Sequence, residues 1–131
     1  MRRASVNRAV EERGSAVVDF VLVGALLTVF CMSVIQLMLI LHVRNTLIDA
    51  AASGARYGSL ADRTSSDAEA RTAELITSAL NPGFAQDITT SEVDMDGIRT
   101  LEVSVRAPMP VLGLLGPGGS MEVRGHAALA G

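Results

Sequence analysis

The sequence predicts an α+β protein: a long N-terminal transmembrane helix that continues outside the membrane, a short amphipathic helix, and a small antiparallel β-sheet. Three observations predict it. From Phe20 to Leu41 no residue carries a formal charge, and a helix needs roughly 20 apolar residues to cross a bilayer core. Between Ser66 and Leu80, small and apolar residues recur at helical spacing. Three later stretches alternate apolar and polar residues with the period of a half-buried strand.

The first element is preceded by a hydrophilic leader, Met1–Gly14, with Arg2, Arg3, Arg8 and Arg13 against Glu11 and Glu12. A lone acid, Asp19, opens the apolar run. A carboxylate at the edge of a membrane helix is costly and marks a functional position by default. The plainer reading is that Asp19 marks the helix start, close to its positive dipole end. Beyond Leu41 the pattern stays helical. No Pro or Gly interrupts Leu41–Asp49, and Ala50, Ala51, Ala52 and Ala55 are strong helix formers. One helix is expected from about Ser15 to about Tyr57, on the order of 60 Å long at 1.5 Å per residue. The small residues of Ala50–Gly58 would let another element approach closely.

Gly58 to Ser65 reads as a polar linker. Ser66 and Glu69 form a capping box for the second helix. Ala68, Thr72, Leu75, Ile76, Ala79 and Leu80 supply its buried face, and Asn81-Pro82-Gly83 ends it. Val93 and Met95 alternate with Glu92, Asp94 and Asp96, and Asp96-Gly97 is a hairpin signal. In the next strand Leu101, Val103 and Val105 face one way, and Glu102, Ser104 and Arg106 the other, until Pro108 and Pro110 break it. Met121–Ala127 alternates again. The linking segment 110–119 is apolar, glycine-rich and uncharged. It reads as a loop folded on the small core, or alternatively as a contact patch for a partner or a membrane surface.

Composition narrows the function. Of 131 residues 49% are hydrophobic but only 3% aromatic, so the part outside the span must build a modest core from aliphatic residues. From Arg44 onward seven Arg face eleven Asp and Glu. No basic patch for nucleic acid exists there, and none is expected to bind. The four leader arginines favour a cytoplasmic N-terminus. Cys31 is the only cysteine, which excludes an internal disulfide or a Cys-based zinc site. His42 and His126 lack patterned partners, and Glu92, Asp94 and Asp96 lack the spacing of a calcium loop. Gln36 could hydrogen-bond to another helix within the membrane. Gly116-Pro117-Gly118-Gly119 lacks the ending of a phosphate loop. No catalytic constellation, cofactor, metal or small-molecule substrate is expected; the protein reads as a non-enzyme.

The string Arg13-Gly14-Ser15-Ala16-Val17-Val18-Asp19-Phe20, a basic leader, a glycine and an acid five residues on, resembles a type IV prepilin. With Arg44-Asn45, Ala50-Ala51 and Gly54-Ala55-Arg56-Tyr57 it is similar to the TadE-like pseudopilins of the tight-adherence (Flp) pilus. The resemblance implies a cut between Gly14 and Ser15 by a prepilin peptidase, which leaves Asp19 fifth in the mature chain. That position is usually Glu in these families. It is thought to pair with the free amine of a neighbouring subunit as helices pack, so Asp19 and Phe20 are the expected assembly residues. An ordinary signal peptide fits less well. Its apolar core is about 7–15 residues and its cleavage site follows directly, whereas Ala50-Ala51-Ala52 lies well past Leu41. The resemblance further implies a pilin-like plan with a cytoplasmic leader (1–14), a long helix (15–57, span about 20–41) and an extracytoplasmic domain (58–131). It implies a single-pass membrane protein that acts as a minor pilin alongside other pilin and pseudopilin subunits. The alternative is a single-pass envelope protein whose exterior domain binds something unrelated to pili.

Overall fold

The structure, a computed structural model, describes residues 2–110 and 119–129, with side chains from Ser5 onward. Helix α1 runs Arg2–Gly58 and helix α2 Ser65–Ala79. A 3-10 turn at Pro82–Phe84 leads into strands β1 (Asp87–Met95), β2 (Ile98–Pro108) and β3 (Ser120–Ala128). The α+β class is therefore as the pattern indicates. The chain divides into two compact units, Met1–Leu37 and Met38–Gly131.

The first unit is helix alone. It begins at Arg2, earlier than the expected start near Ser15. The leader holds no Pro, and its Arg, Ala and Glu residues favour helix, so nothing before Gly14 stops it. The apolar side chains point outward all round: Phe20 is 80% exposed and Phe30 65%. A helix apolar on every side is one that lipid or other helices must cover, and α1 is long and apolar enough to cross a membrane. The Thr28 hydroxyl donates to the Gly24 carbonyl and that of Ser33 to the Val29 carbonyl, each at 2.8 Å. Both polar groups are thereby satisfied within the helix.

In the second unit, residues 38–58 of α1 form one wall of the core. Val43, Leu47, Ala50, Ala51 and Ala55 are buried, at the three- and four-residue spacing of one helix face. They pack with Ala68 and Ile76 of α2 and with Leu101, Val103, Val105, Ala107, Met121 and Val123 of the sheet. The small residues act as expected. A Cβ on Gly54 would lie 1.8 Å from Thr72 Oγ1, and one on Gly58 2.4 Å from the Ala68 Cβ. The pair forms a notch that receives α2. Buried Thr72 donates its hydroxyl to the Ala68 carbonyl at 2.8 Å, so it needs no other partner.

The sheet is a meander in the order β1-β2-β3, antiparallel throughout. Asp96 and Gly97 both take positive φ, 56° and 82°, the geometry of a type I′ hairpin turn. Strand β1 starts at Asp87, well before the alternation at Val93 and Met95. Its inward residues are Ile88 and Thr90, opposite Val105 and Val103. Val93 and Met95 lie opposite Thr100 and Ile98 on the other face, with Met95 48% exposed. Residues 111–118, most of the apolar connection read as a loop or contact patch, lie outside the described residues.

The cap of α2 differs from the Ser66–Glu69 box. Thr64 is the N-cap: its Oγ1 accepts from the Asp67 N–H at 3.3 Å, and the Asp67 carboxylate accepts from the Thr64 N–H at 2.8 Å. Thr64 and Asp67 satisfy the same spacing rule two residues earlier. Glu69 is thereby free to accept from the Thr90 hydroxyl at 2.9 Å, which ties α2 to the edge strand β1.

Candidate functional site

The four residues singled out by the linear motif, Gly14, Ser15, Asp19 and Phe20, lie on consecutive turns of α1 in the first unit, and all are exposed. Ser15 and Asp19 are four apart and share a helix face. Among the described residues no basic side chain pairs with Asp19. A carboxylate beside so long an apolar run is costly and marks a functional position by default. The Gly14–Ser15 amide lies within the helix. In its second segment the motif does structural work: Ala50, Ala51, Gly54 and Ala55 are core, while Arg44, Asn45 and Arg56 face outward.

The second unit carries its polar chemistry on the outer face of the sheet. Register sets Asp87, Arg106 and Glu122 in one row and Glu102 beside His126 in another. Asp87, Thr89, Ser104, Arg106 and Glu122 line a shallow depression there. Glu122 meets Arg124 at 3.2 Å and Arg106 at 3.4 Å. The hydrogen bond from Arg124, then that from Arg106, holds the Glu122 carboxyl below its ordinary pKa. At the α2 cap the Thr64 backbone N–H does the same for Asp67.

His126 has no patterned partner in the sequence, yet its Nε2 lies 2.8 Å from Glu102 Oε2 and its side chain is only 36% exposed. The sequence signal was register, which sets Glu102 opposite His126 once β2 and β3 are paired. The Ser104 hydroxyl reaches the other Glu102 oxygen at 3.5 Å. The carboxylate thus stands between hydroxyl and imidazole. In a nucleophilic triad the imidazole stands in the middle to take the hydroxyl proton, so this arrangement does not activate Ser104. Among the described residues no group of three His, Cys, Asp or Glu side chains could hold a metal ion. Cys31 and His42 both sit exposed on α1.

A contact the sequence did not suggest lies between α1 and α2. The Tyr57 ring carries the Arg63 guanidinium 4.7 Å from its centroid and that of Arg71 at 5.9 Å. Cations over an aromatic face attract its quadrupole, and here they brace the turn joining the two helices.

Comparison with curated proteins and with solved structures returns no match. A protein-family comparison does: the matched stretch opens on Gly14, takes in Ser15, Asp19, Phe20 and the whole apolar run, and closes at Arg56, inside the wall of the core. Residues 14–56 match the family of TadE-like proteins.

Proposed function

We propose that the protein is a minor pilin, a pseudopilin that acts in assembly of a Flp-type pilus and is processed between Gly14 and Ser15 by a prepilin peptidase. The observation that carries this reading is the family match, which begins at the glycine of the proposed cut and includes Asp19. The α1 geometry supports it. The span is apolar all round, and the one acid at its edge has no ion-pair partner among the described residues.

In this reading the Arg-rich leader stays in the cytoplasm, the span remains in the mature chain, and the second unit lies outside the cytoplasm. Hydrolysis frees the Ser15 amine. That amine and Asp19 belong to different subunits, and their pairing offsets the desolvation each charge would suffer alone. The action is associative rather than catalytic, with helices packing side by side in the membrane and the sheet unit carried on the outside. Mass spectrometry of the membrane-extracted chain tests it. A Ser15 N-terminus is expected in cells with an active prepilin peptidase, and an intact Arg2-containing leader there overturns the processed-pilin reading.

A further inference from the structure

The glycines of this chain divide by what the fold asks of them. Gly54, Gly58 and Gly125 admit a neighbour too close for any side chain, and Gly97 holds a positive φ. Gly14 does neither. It lies within α1 at a helical φ, and a Cβ built on it would meet nothing within 4 Å. Alanine would fit there and would hold the helix more firmly. What a glycine contributes inside a helix is local weakness.

The proposed cut falls at this weak turn. Hydrolysis of the Gly14–Ser15 amide adds water. The hydroxyl joins the Gly14 carbonyl carbon, the C–N bond breaks, and a proton goes to the Ser15 nitrogen, leaving a carboxylate and an amine. In α1 both polar groups of that amide are engaged: the Ser15 N–H donates to the Glu11 carbonyl and the Gly14 carbonyl accepts from the Val18 N–H. Attack on the carbonyl carbon requires that this turn open. Opening is bounded on one side, because from Phe20 inward any freed backbone group would face lipid, where unpaired N–H and C=O are costly. The turn that can open is the one on the water side of Asp19, and Gly14 lies in it.

The geometry points to Gly14 as a positioning residue, the place where α1 unwinds to present its own scissile amide, with the intact leader helix as the uncut, closed state. This inference rests on the processing reading of the preceding section. It assigns the rate of maturation to helix opening as well as to recognition by the peptidase.

Gly14→Ala should make the open turn about fivefold rarer, which is the ~1 kcal/mol by which Ala exceeds Gly in a helix interior. Processing of the full chain, followed by mass spectrometry in cells with an active prepilin peptidase, should slow by that factor. Adding Ala16→Gly restores a glycine to the same turn and should return the rate towards wild type. Gly24→Ala, which also meets nothing within 4 Å but lies inside the span, should leave processing unchanged. Hydrogen exchange at the Ser15 amide of the detergent-extracted uncut chain should slow about fivefold in Gly14→Ala. If Gly14→Ala is cut and exchanges as fast as wild type, or if the Ala16→Gly addition restores exchange but not cutting, the hinge role is wrong and Gly14 acts only by fitting the peptidase. A wild-type chain left intact overturns the processing reading itself.

Discussion

Replacing Gly125 with alanine measures how tightly the sheet lies on the helix. Gly125 is in β3, opposite Val103 of β2. A Cβ there would lie 2.3 Å from the Ala52 nitrogen and 2.4 Å from the Ala51 carbonyl carbon. Non-bonded atoms of this size rest roughly 3.5–4 Å apart, so strand and helix must separate by on the order of 1 Å. The obstacles are backbone atoms within a helix, which cannot swing aside as a side chain would. Overpacking of this kind costs about 1–3 kcal/mol, offset by the ~0.5–1 kcal/mol that Ala gains over Gly in a strand. Against helix backbone at 2.3 Å the upper part of the overpacking range, about 2–3 kcal/mol, applies, so a net loss of about 1–2.5 kcal/mol follows, which for a unit of this size lowers Tm by roughly 5–15 °C. Thermal unfolding of the full chain in detergent, followed through the sheet signal in circular dichroism, reads this directly. A Tm within about 2 °C of wild type would show that β3 does not rest on the α1 backbone at Ala51–Ala52.

Thr64→Ala should destabilise the second unit by about 0.5–2 kcal/mol in denaturant unfolding, whereas Ser66→Ala should change it little, because only Thr64 caps α2. Acid should also weaken this unit through Glu122 and Asp67. Their carboxyls titrate below their ordinary values in the folded chain, so the native state binds fewer protons than the unfolded one. The stability they contribute is complete at neutral pH and is lost as pH falls through the folded values. An acid titration of Glu122→Gln should accordingly show a shallower loss than wild type. For the proposed assembly role, Asp19→Ala should leave the chain membrane-bound but reduce its co-purification with pilus components, while Asp19→Glu should retain it; undiminished association of Asp19→Ala would make Asp19 a helix-end acid only.

Much of the architecture is legible because its determinants are local. The span declares itself by length and absence of charge, β2 and β3 by strict alternation, and the hairpin by Asp96-Gly97. What escaped depends on choices between locally equivalent options or on pairing across the chain. Thr64/Asp67 and Ser66/Glu69 both fit a capping box, and only the fold shows that Thr64 caps the helix while Glu69 accepts from the Thr90 hydroxyl across the chain. The leader's Arg, Ala and Glu residues favour helix, but the cut implied after Gly14 set the expected start at Ser15 rather than Arg2. The alternation of Met121–Ala127 gives no reason for a glycine at 125, because that reason, the backbone of Ala51 and Ala52, lies more than seventy residues away. The candidate site was legible as a linear motif. Its setting inside an unbroken helix was not, nor was the meeting of Glu102 with His126, which only strand register reveals.

The wall that α1 lends to the second unit also decides how that unit could ever be released from a membrane. Val43 is 3% exposed and Leu47 fully enclosed, so the second unit owns no complete interior without the stretch that follows the span. A protease clipping just before Val43 would shed a particle with its core intact. One clipping after Leu47 would leave the sheet with an open apolar flank, and the fragment would unfold or aggregate. Tether and domain are thus not separable modules: the last turns of the anchor are the first layer of what it anchors.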